Sequence, residues 1–269
     1  MQEILKLTKD GKYVENVLDI TVTELSIPEG VVGFRFKDFE KCNHLQTLNL
    51  PSSFGGIMYL DECKTIRQIN ISPDNEKFSS KDGVIYNKDR TRLVFVPKSL
   101  KTTCFEIPQG VKTISHSSFR GCTSISKVVI SDSVEEVNDW AFQFSSIQEV
   151  IISKGLVKIS GNPFVGCEQL RNISVDIDNP CFSSVDGILL DKEHTRIIHF
   201  PYAKDVSRLV IPDGVQKIPY MCKKSNELVI PGSISEISDE FFKDCKKLQS
   251  VIISEGVQKI GASAFKQCI

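Results

Sequence analysis

Apolar residues recur along the chain in short alternating runs, each followed by a reversal of the chain. In "SVIIS" at 250–254, Val251 and Ile253 would point to the same face of a strand. Turn tripeptides follow such runs: "PEG", "PQG", "PDG" and "SEG" at 28–30, 108–110, 212–214 and 254–256. Proline fixes φ and glycine accepts positive φ, so these tripeptides favour tight turns. The pattern predicts short strands separated by turns.

This pattern repeats along almost the whole chain. The second core residue of each predicted strand marks ten units: Ile27, Leu50, Ile71, Ile107, Ile130, Ile152, Val175, Ile211, Ile230 and Ile253. Successive markers are 23, 21, 36, 23, 22, 23, 36, 19 and 23 residues apart. One such unit is too short to enclose its own apolar side chains, but stacked units can share a core. The repeat therefore predicts a solenoid.

The second half of each unit carries a different apolar spacing. An apolar pair such as Val111 and Ile114 is followed by a Phe-x-x-Cys motif, as in "FRGCTSI" at 119–125. Spacings of three in so short a segment favour one turn of 3₁₀- or α-helix. We therefore expect an α/β solenoid, with a parallel sheet on its concave side and short helical turns opposite.

The two long units contain nearly the same segment. "SSKDGVIYNKDRTRLVFVP" at 79–97 and "SSVDGILLDKEHTRIIHFP" at 183–201 belong to windows from Asn75 and Asn179 that share 10 of 23 residues. Asp-Gly between β-rich runs predicts a β-hairpin that enlarges the unit. The alternative is a calcium site. It would use Asp176, Asp178, Asp186 and Asp191, which do not follow the calcium-loop pattern.

Nine cysteines are present, and most occupy one position of the repeat. Six of them lie three residues after the Phe, or after Leu60, of their unit: Cys42, Cys63, Cys122, Cys167, Cys245 and Cys268. A residue type that recurs once per unit predicts a buried column of small apolar side chains. Disulfides between neighbouring units, Cys42 with Cys63 and Cys245 with Cys268, are the alternative.

Composition excludes several classes of function. With 33 basic and 34 acidic residues, the chain has no concentrated basic surface for nucleic acid. It has no long apolar run that would insert in a membrane, and its first residues lack the apolar core of a secretory leader. Neither a C-x-x-C motif nor a nucleophile, phosphate or dinucleotide motif occurs. We expect a protein that is not an enzyme and uses no cofactor or metal.

The repeat resembles that of the BspA-type leucine-rich repeat family, with its recurring "IP-x-GV-x-x-I-x-x-x-AF-x-x-C-x-x-L" unit. Residues 105–125 and 248–268 follow it closely, and the "DG" enlargement also recurs in that family. Leu60 and "PYMCKKS" at 219–225 depart from it, which weakens the prediction of helical turns there. The resemblance implies a right-handed leucine-rich-repeat superhelix over residues 23–269. Residues 1–22 hold apolar residues without the repeat, so we expect them to form an N-terminal cap or leading segment.

Outward-facing strand positions are the candidate binding surface. One column of such positions is polar at first and becomes apolar at 129–151 and again at 210–252, and the neighbouring column carries charged and polar residues. The candidate partner-binding residues are Lys127, Val129, Glu149, Ile151, Arg208, Val210, Glu227, Val229 and Ile252. An exposed apolar strip bordered by charge is typical of a partner surface. The alternative is that Val and Ile occur there only because they favour strands.

The expected function is a non-catalytic surface for protein–protein interaction. The resemblance implies cell-surface or secreted proteins that bind host molecules or other cells, so we expect a host or cell-surface protein as partner. An intracellular, cytoplasmic scaffold is the alternative, which the many thiols favour. A carbohydrate-binding module is a further one, in which Trp140 would stack on a sugar instead of packing over the convex side. The identity of the partner and the oligomeric state stay open at this point.

Overall fold

A computed structural model describes residues 4–35, 41–57, 60–204, 207–216 and 225–268. The chain divides into two compact units, here called unit 1 (residues 1–147 and 158–168) and unit 2 (residues 148–157 and 169–269). Within the described residues there is no α-helix, and a 3₁₀-helix spans Leu60–Glu62. No helix among them is long and apolar enough to cross a bilayer.

Short β-strands make up both units. The strands of unit 1 are β1 (Leu5–Leu7), β2 (Tyr13–Val17), β3 (Glu24–Ser26), β4 (Gly33–Phe34), β5 (Thr47–Leu50), β6 (Gln68–Ile71), β7 (Phe78–Lys81), β8 (Val84–Asn87), β9 (Arg92–Phe95), β10 (Cys104–Glu106), β11 (Thr113–Ile114), β12 (Lys127–Ile130), β13 (Glu136–Val137) and β15 (Lys158–Ile159). Those of unit 2 are β14 (Glu149–Ile152), β16 (Asn172–Val175), β17 (Phe182–Val185), β18 (Ile188–Asp191), β19 (Ile197–His199), β20 (Arg208–Val210), β21 (Glu227–Ile230), β22 (Glu236–Ile237), β23 (Ser250–Ile253) and β24 (Lys259–Ile260).

The predicted alternating runs form parallel strands, one for each coil of the solenoid. In unit 1, β3, β5 and β6 pair in parallel, as do β10 and β12. In unit 2, β14 pairs with β16, and β20, β21 and β23 form a parallel sheet. The register places one core residue beside the next, so that Leu48 lies between Leu25 and Ile69, and all three are buried. The fold is thus a β-solenoid of about ten turns, as the repeat predicts.

The prediction of an α/β fold with short helical turns is wrong. In most coils the apolar pair with spacing three leads into a second, very short strand, so that Ile114 lies in β11 and Val137 in β13. These strands also stack in parallel, in the order β9, β11, β13 and β15 in unit 1 and as β22 with β24 in unit 2. The 3₁₀-helix begins at Leu60, in a coil that departs from the repeat.

Left-handed residues explain why the Phe-x-x-Cys segments are turns and not helices. Residues two before and two after the phenylalanine have positive φ, as in Ser117 (56°) and Gly121 (66°) around Phe119. A helix needs consecutive residues with right-handed backbone conformation. The residues with positive φ therefore limit each Phe-x-x-Cys segment to isolated turns. The turns are joined from coil to coil by backbone hydrogen bonds, and the Phe119 N–H donates to the Ala141 carbonyl at 2.7 Å.

A column of aromatic rings and thiols fills the core under these turns. In unit 1 the ring centroids of Phe119 and Phe142 are 4.9 Å apart, and those of Phe142 and Phe164 are 5.3 Å apart. The Cys167 thiol donates to the Phe142 carbonyl at 2.9 Å. The predicted buried column of cysteines is confirmed for five of the six positions, which are Cys42, Cys63, Cys122, Cys167 and Cys245. The sixth, Cys268, is half-buried. All described cysteines are free, so the two candidate disulfides are not formed.

Each enlarged coil contains the predicted hairpin, extended by a third strand. Strands β7, β8 and β9 are antiparallel, and so are β17, β18 and β19. The loop between β7 and β8 is Asp82–Gly83, with φ of 51° and 82°, a two-residue hairpin turn that requires positive φ at both positions. Asp186–Gly187 repeats it in unit 2, with φ of 50° and 76°.

These hairpins interrupt the parallel sheet, which is therefore not continuous from coil to coil. At the free edge of β6, the Gly83 carbonyl accepts from the Ile69 N–H at 3.1 Å, and the Ser80 hydroxyl accepts from the Ile71 N–H at 2.9 Å. In unit 2 the Gly187 carbonyl and the Ser184 hydroxyl do the same for β16. The hairpin turn thus takes the hydrogen bonds that a next parallel strand would make.

Buried asparagines fix both enlarged coils to the preceding coil. The Asn75 side-chain amide donates to the carbonyls of Pro51, Ser52 and Phe54 at 3.2, 3.0 and 2.7 Å. Its Oδ1 accepts from the backbone N–H of Lys77 and Phe78 at 2.9 and 2.8 Å. Asn179 has the same role in unit 2, which accounts for the shared asparagine of the two segments.

The beginning of the chain forms a small sheet of its own. Strands β1 and β2 are antiparallel, and β2 pairs in parallel with β4. The boundary between a cap at residues 1–22 and an array at residues 23–269 stays a prediction.

Some positions used in the sequence patterns lie outside the described residues, among them most of "PYMCKKS" at 219–225.

Candidate interaction surface

The outward face of the parallel sheet in unit 2 carries three β-branched side chains in register. Val210 lies beside Val229 on the neighbouring strand, and Val229 lies beside Ile252 on the next. Val210 is 52% exposed and Ile252 is 44% exposed, whereas Val229 between them is half-buried. We call these three residues the apolar strip. Its members belong to three different coils, and only the register of the sheet brings them together.

Charged residues border the apolar strip on one side. Arg208 and Glu227 stand opposite each other on β20 and β21, and the Arg208 Nε lies 3.3 Å from the Glu227 Oε1. An exposed ion pair of this kind adds little to stability. It nevertheless holds both side chains beside the strip, which gives the strip a polar border of both signs.

The other four candidate residues have different neighbours within their units. In unit 2, Glu149 and Ile151 lie opposite Asn172 and Ser174, and both candidates are half-buried. In unit 1, Lys127 lies opposite Cys104, and Val129 lies opposite Glu106. The structure therefore places all nine candidates on outward faces, but it assembles the apolar strip only from Val210, Val229 and Ile252, with Arg208 and Glu227 beside it.

The corresponding face at the start of unit 1 is a hydrogen-bonded ladder of polar side chains. The Asn49 amide donates to the Ser26 hydroxyl at 3.0 Å, and the Asn70 amide donates to Asn49 Oδ1 at 2.8 Å. The Gln68 amide in turn donates to Asn70 Oδ1 at 2.9 Å. Asparagine at one strand position in successive coils was the sequence signal for this ladder. It makes the outward face of β3, β5 and β6 polar.

A cleft of about 670 Å³ lies in unit 1 between β6 and β10, beside the first enlarged coil. Its lining includes Arg67, Gln68, Lys81, Lys101 and Glu106. No sequence motif pointed to it. The available signal was the 36-residue step from Ile71 to Ile107, which marks the coil where the sheet is interrupted.

The acidic residues of the calcium alternative have other roles. Burial raises the pKa of Asp191, but hydrogen bonds from Thr195 and Arg196 outweigh it, so that the pKa lies below its usual value. Those bonds, from the Thr195 hydroxyl at 2.6 Å and the Arg196 N–H at 2.9 Å, order the second hairpin loop. Asp186 pairs with Lys204 at 3.0 Å. The described residues contain no group of three or more His, Cys, Asp or Glu side chains that could hold a metal.

Trp140 is 43% exposed on a turn of unit 1. Its indole packs against the His116 imidazole, with ring centroids 5.1 Å apart. Its backbone has φ of 58°, an uncommon conformation for so large a residue.

Comparison with known families identifies the repeat. A model described as "BspA type Leucine rich repeat region" matches in six copies over residues 18–103, 91–189 and 198–269. The chain belongs to the BspA-type leucine-rich repeat family. The expected resemblance is confirmed. Such repeat proteins generally mediate protein–protein interaction.

Solved structures similar to this BspA-type chain are bacterial leucine-rich repeat proteins. One is a leucine-rich repeat protein from Eubacterium ventriosum, 20% identical, with a TM-score of 0.58 over 91% of this chain; the chain spans 64% of that protein. Another is a leucine rich cell surface protein from Faecalibacterium prausnitzii, 19% identical, with a TM-score of 0.61 over 98% of this chain and 78% of the other. The pneumococcal vaccine antigen PcpA is 17% identical, with a TM-score of 0.57 over 94% of this chain and 71% of its own. A comparison with curated proteins finds no significant match.

Proposed function

We propose that this BspA-type protein is an adhesion or host-binding module that contacts a protein partner through the apolar strip in unit 2. The observation that carries the proposal is the alignment of Val210, Val229 and Ile252 on three neighbouring strands. An exposed apolar centre bordered by charged groups resembles the centre and rim of known protein interfaces.

The strip has the character of a binding centre and not only of strand-forming residues. If β-branched residues occurred there solely because they favour strands, equivalent positions elsewhere in the described chain would be apolar too. Several of them are instead polar: Glu106 and Ser174 stand beside Val129 and Ile151. At the start of unit 1, Ser26, Asn49 and Asn70 form the polar ladder. The contrast favours a surface whose composition is set by what it contacts.

A cell-surface or secreted location is part of the proposal. One of the similar structures is described as a cell surface protein, and another as a vaccine antigen. An intracellular scaffold is the second candidate. The free cysteines favour it, because thiols stay reduced in the cytosol, whereas secreted proteins commonly use disulfides. Antibody labelling of intact cells distinguishes the two: labelling without permeabilisation supports a surface location, and labelling only after permeabilisation supports the scaffold.

The binding proposal is tested with the double variant Val210→Ser, Val229→Ser. The protein is immobilised, exposed to extracts and surface fractions of candidate host cells, and the retained proteins are identified by mass spectrometry. For a purified retained partner, we expect the double variant to weaken binding roughly 30-fold, because each valine contributes about 1 kcal/mol when its remaining exposed surface is buried.

A matched control shows whether the strip itself is responsible. The variant Asn49→Ser, Asn70→Ser changes the same strand positions in unit 1 and should leave binding of that partner unchanged. Circular dichroism establishes that both variants stay folded. Equal binding by the strip variant and the wild-type protein would refute the assignment of the surface.

A further inference from the structure

The cleft beside the first enlarged coil is a gap in the parallel sheet. Paired strands lie about 4.8 Å apart. No Cα atom of β6 lies within 8 Å of a Cα atom of β10, although these strands carry successive repeat markers, Ile71 and Ile107. The two strands are therefore not paired, and the cleft of about 670 Å³ opens between them. The Asp82–Gly83 turn occupies the β6 side of the gap, and the β10 side is open.

The open side presents unpaired main-chain groups. Thr103 and Ile107 bond to β12 through the Thr103 carbonyl and the Ile107 N–H. Because neighbouring residues of a strand direct their backbone groups to opposite sides, those of Cys104 and Glu106 point into the cleft. The Cys104 carbonyl accepts from the Thr102 hydroxyl at 2.6 Å. Within the described residues, the N–H groups of Cys104 and Glu106 and the Glu106 carbonyl have no protein partner.

The charges that line the cleft favour an acidic occupant. Arg67, Lys81 and Lys101 line it and are exposed, and among the described residues none of their side chains has an ion-pair partner. The acidic groups of the lining are Asp82 and Glu106, so the three cations exceed the anions. In the second enlarged coil, by contrast, Asp186, the counterpart of Asp82, is paired with Lys204.

We propose that this cleft binds an extended acidic peptide segment, which adds to the edge of β10 as an extra strand. The Cys104 and Glu106 N–H groups donate to carbonyls of the peptide, and the Glu106 carbonyl accepts one of its N–H groups. Acidic side chains of the peptide lie near Arg67, Lys81 and Lys101. This is strand addition at an exposed sheet edge, in which main-chain hydrogen bonds give affinity and side-chain contacts give selectivity. The site lies in unit 1 and is separate from the apolar strip.

The test uses a fluorescein-labelled peptide of alternating threonine and glutamate, Thr-Glu-Thr-Glu-Thr, because threonine favours strands and is soluble. Binding to the full chain is measured by fluorescence anisotropy, and ¹⁵N-labelled protein reports the backbone signals of residues 104 and 106. We expect saturable binding with shifts of both amide signals. The peptide with lysine in place of glutamate should bind at least roughly tenfold more weakly, as the charge of the lining requires.

Two substitutions at one position separate the backbone contribution from the side-chain contribution. Glu106→Pro removes an N–H that has no partner in the chain, and proline is tolerated where an edge strand faces solvent. It should weaken binding about three- to tenfold, the effect of losing one main-chain hydrogen bond. Glu106→Ala keeps the N–H and removes a negative charge, so it should bind the acidic peptide as well as the wild type or more tightly.

A modified peptide tests the same point in the unchanged protein. Methylation of all its backbone nitrogens removes the N–H that pairs with the Glu106 carbonyl, whichever residue supplies it, and should weaken binding at least tenfold even if the proline variant does not fold. Equal binding of methylated and unmethylated peptides would overturn the proposal, as would an absence of binding up to millimolar peptide. The Val210→Ser, Val229→Ser variant should bind this peptide normally, so that failure of either proposal can be told from failure of the other.

Discussion

The buried imidazole of His199 should make the stability of unit 2 fall in weak acid. Burial lowers the pKa of His199 to about 4 from its usual value of 6.5. The unfolded chain therefore takes up a proton at this residue at a higher pH than the folded chain does. Stability contributed by the neutral ring is complete above pH 6.5 and is lost as the pH falls from 6.5 towards 4. The loss amounts to about 2 kcal/mol at pH 5 and about 3 kcal/mol below pH 4.

The second copy of the repeat supplies a suitable substitution. In the first enlarged coil Phe95 pairs with Ile85, as His199 pairs with Leu189, and Phe95 is buried. We therefore expect His199→Phe to be accommodated. Thermal unfolding, followed by circular dichroism between about pH 7.5 and pH 5, should show the wild-type Tm falling about 5 °C further than that of the variant.

Two controls make the result specific. His116 is exposed, so His116→Phe should retain the pH dependence of the wild type. Phe95→His places a histidine in the equivalent buried position and should add a similar sensitivity to acid in unit 1. If wild type and His199→Phe lose stability in parallel across this pH range, the reasoning is refuted.

Three further predictions concern single residues of unit 1. Asn75→Ala should lower the free energy of unfolding by about 3 kcal/mol in urea titrations, because it leaves buried backbone groups without partners; a loss below about 1 kcal/mol would contradict this. Gly166→Ala should destabilise more than Gly110→Ala: both glycines have positive φ, but only at Gly166 does a new Cβ clash with a phenyl ring. Equal changes in Tm would contradict that reading. Burial raises the pKa of the Cys122 thiol to about 12, so a disulfide reagent at neutral pH should label exposed Cys104 and spare Cys122 until the protein unfolds. Rapid labelling of Cys122 in the folded protein, detected by peptide mass mapping, would show this to be wrong.

The repeat itself could be predicted because it depends on burial. Leu25, Leu48 and Ile69 recur at one position, and the requirement that each coil cover the next is enough to place them in register. The hairpin turns were also predictable, since Asp-Gly has a strong preference for the two-residue turn. In both cases a local pattern and the global fold require the same residue types.

The helical turns were predicted wrongly because the spacing of apolar residues does not specify the sign of φ at individual residues. A spacing of three suits a 3₁₀-helix as well as successive turns. Trp140 and Phe144 both have positive φ, yet neither residue type favours that conformation. Each left-handed residue costs about 1–2 kcal/mol. Hydrogen bonds to the adjacent coil, such as that from the Phe144 N–H to the Val165 carbonyl at 2.9 Å, offset this cost and exist only in the stack.

The candidate surface was predictable as a set of outward positions but not as a site. Val210, Val229 and Ile252 can be recognised from their place in the repeat. The interruption of the sheet depends instead on the Ser80 hydroxyl and the Gly83 carbonyl, which occupy the edge of β6. A close approach of this kind requires glycine: a Cβ at residue 83 would lie 3.0 Å from the Gln68 Cα. No pattern of apolar positions encodes such a contact.

The turns that carry the left-handed residues are also polarised. In unit 1 the N–H groups of Phe119, Gly121 and Phe144 each donate to a carbonyl of the following coil, and in unit 2 the same direction holds for Glu240, Phe242 and Asp244. Strand dipoles in an ordinary sheet largely cancel. Peptide dipoles that share one direction add, as they do in a helix. Each column of turns therefore has a positive pole towards its C-terminal coil and a negative pole towards its N-terminal coil, although it contains no helix.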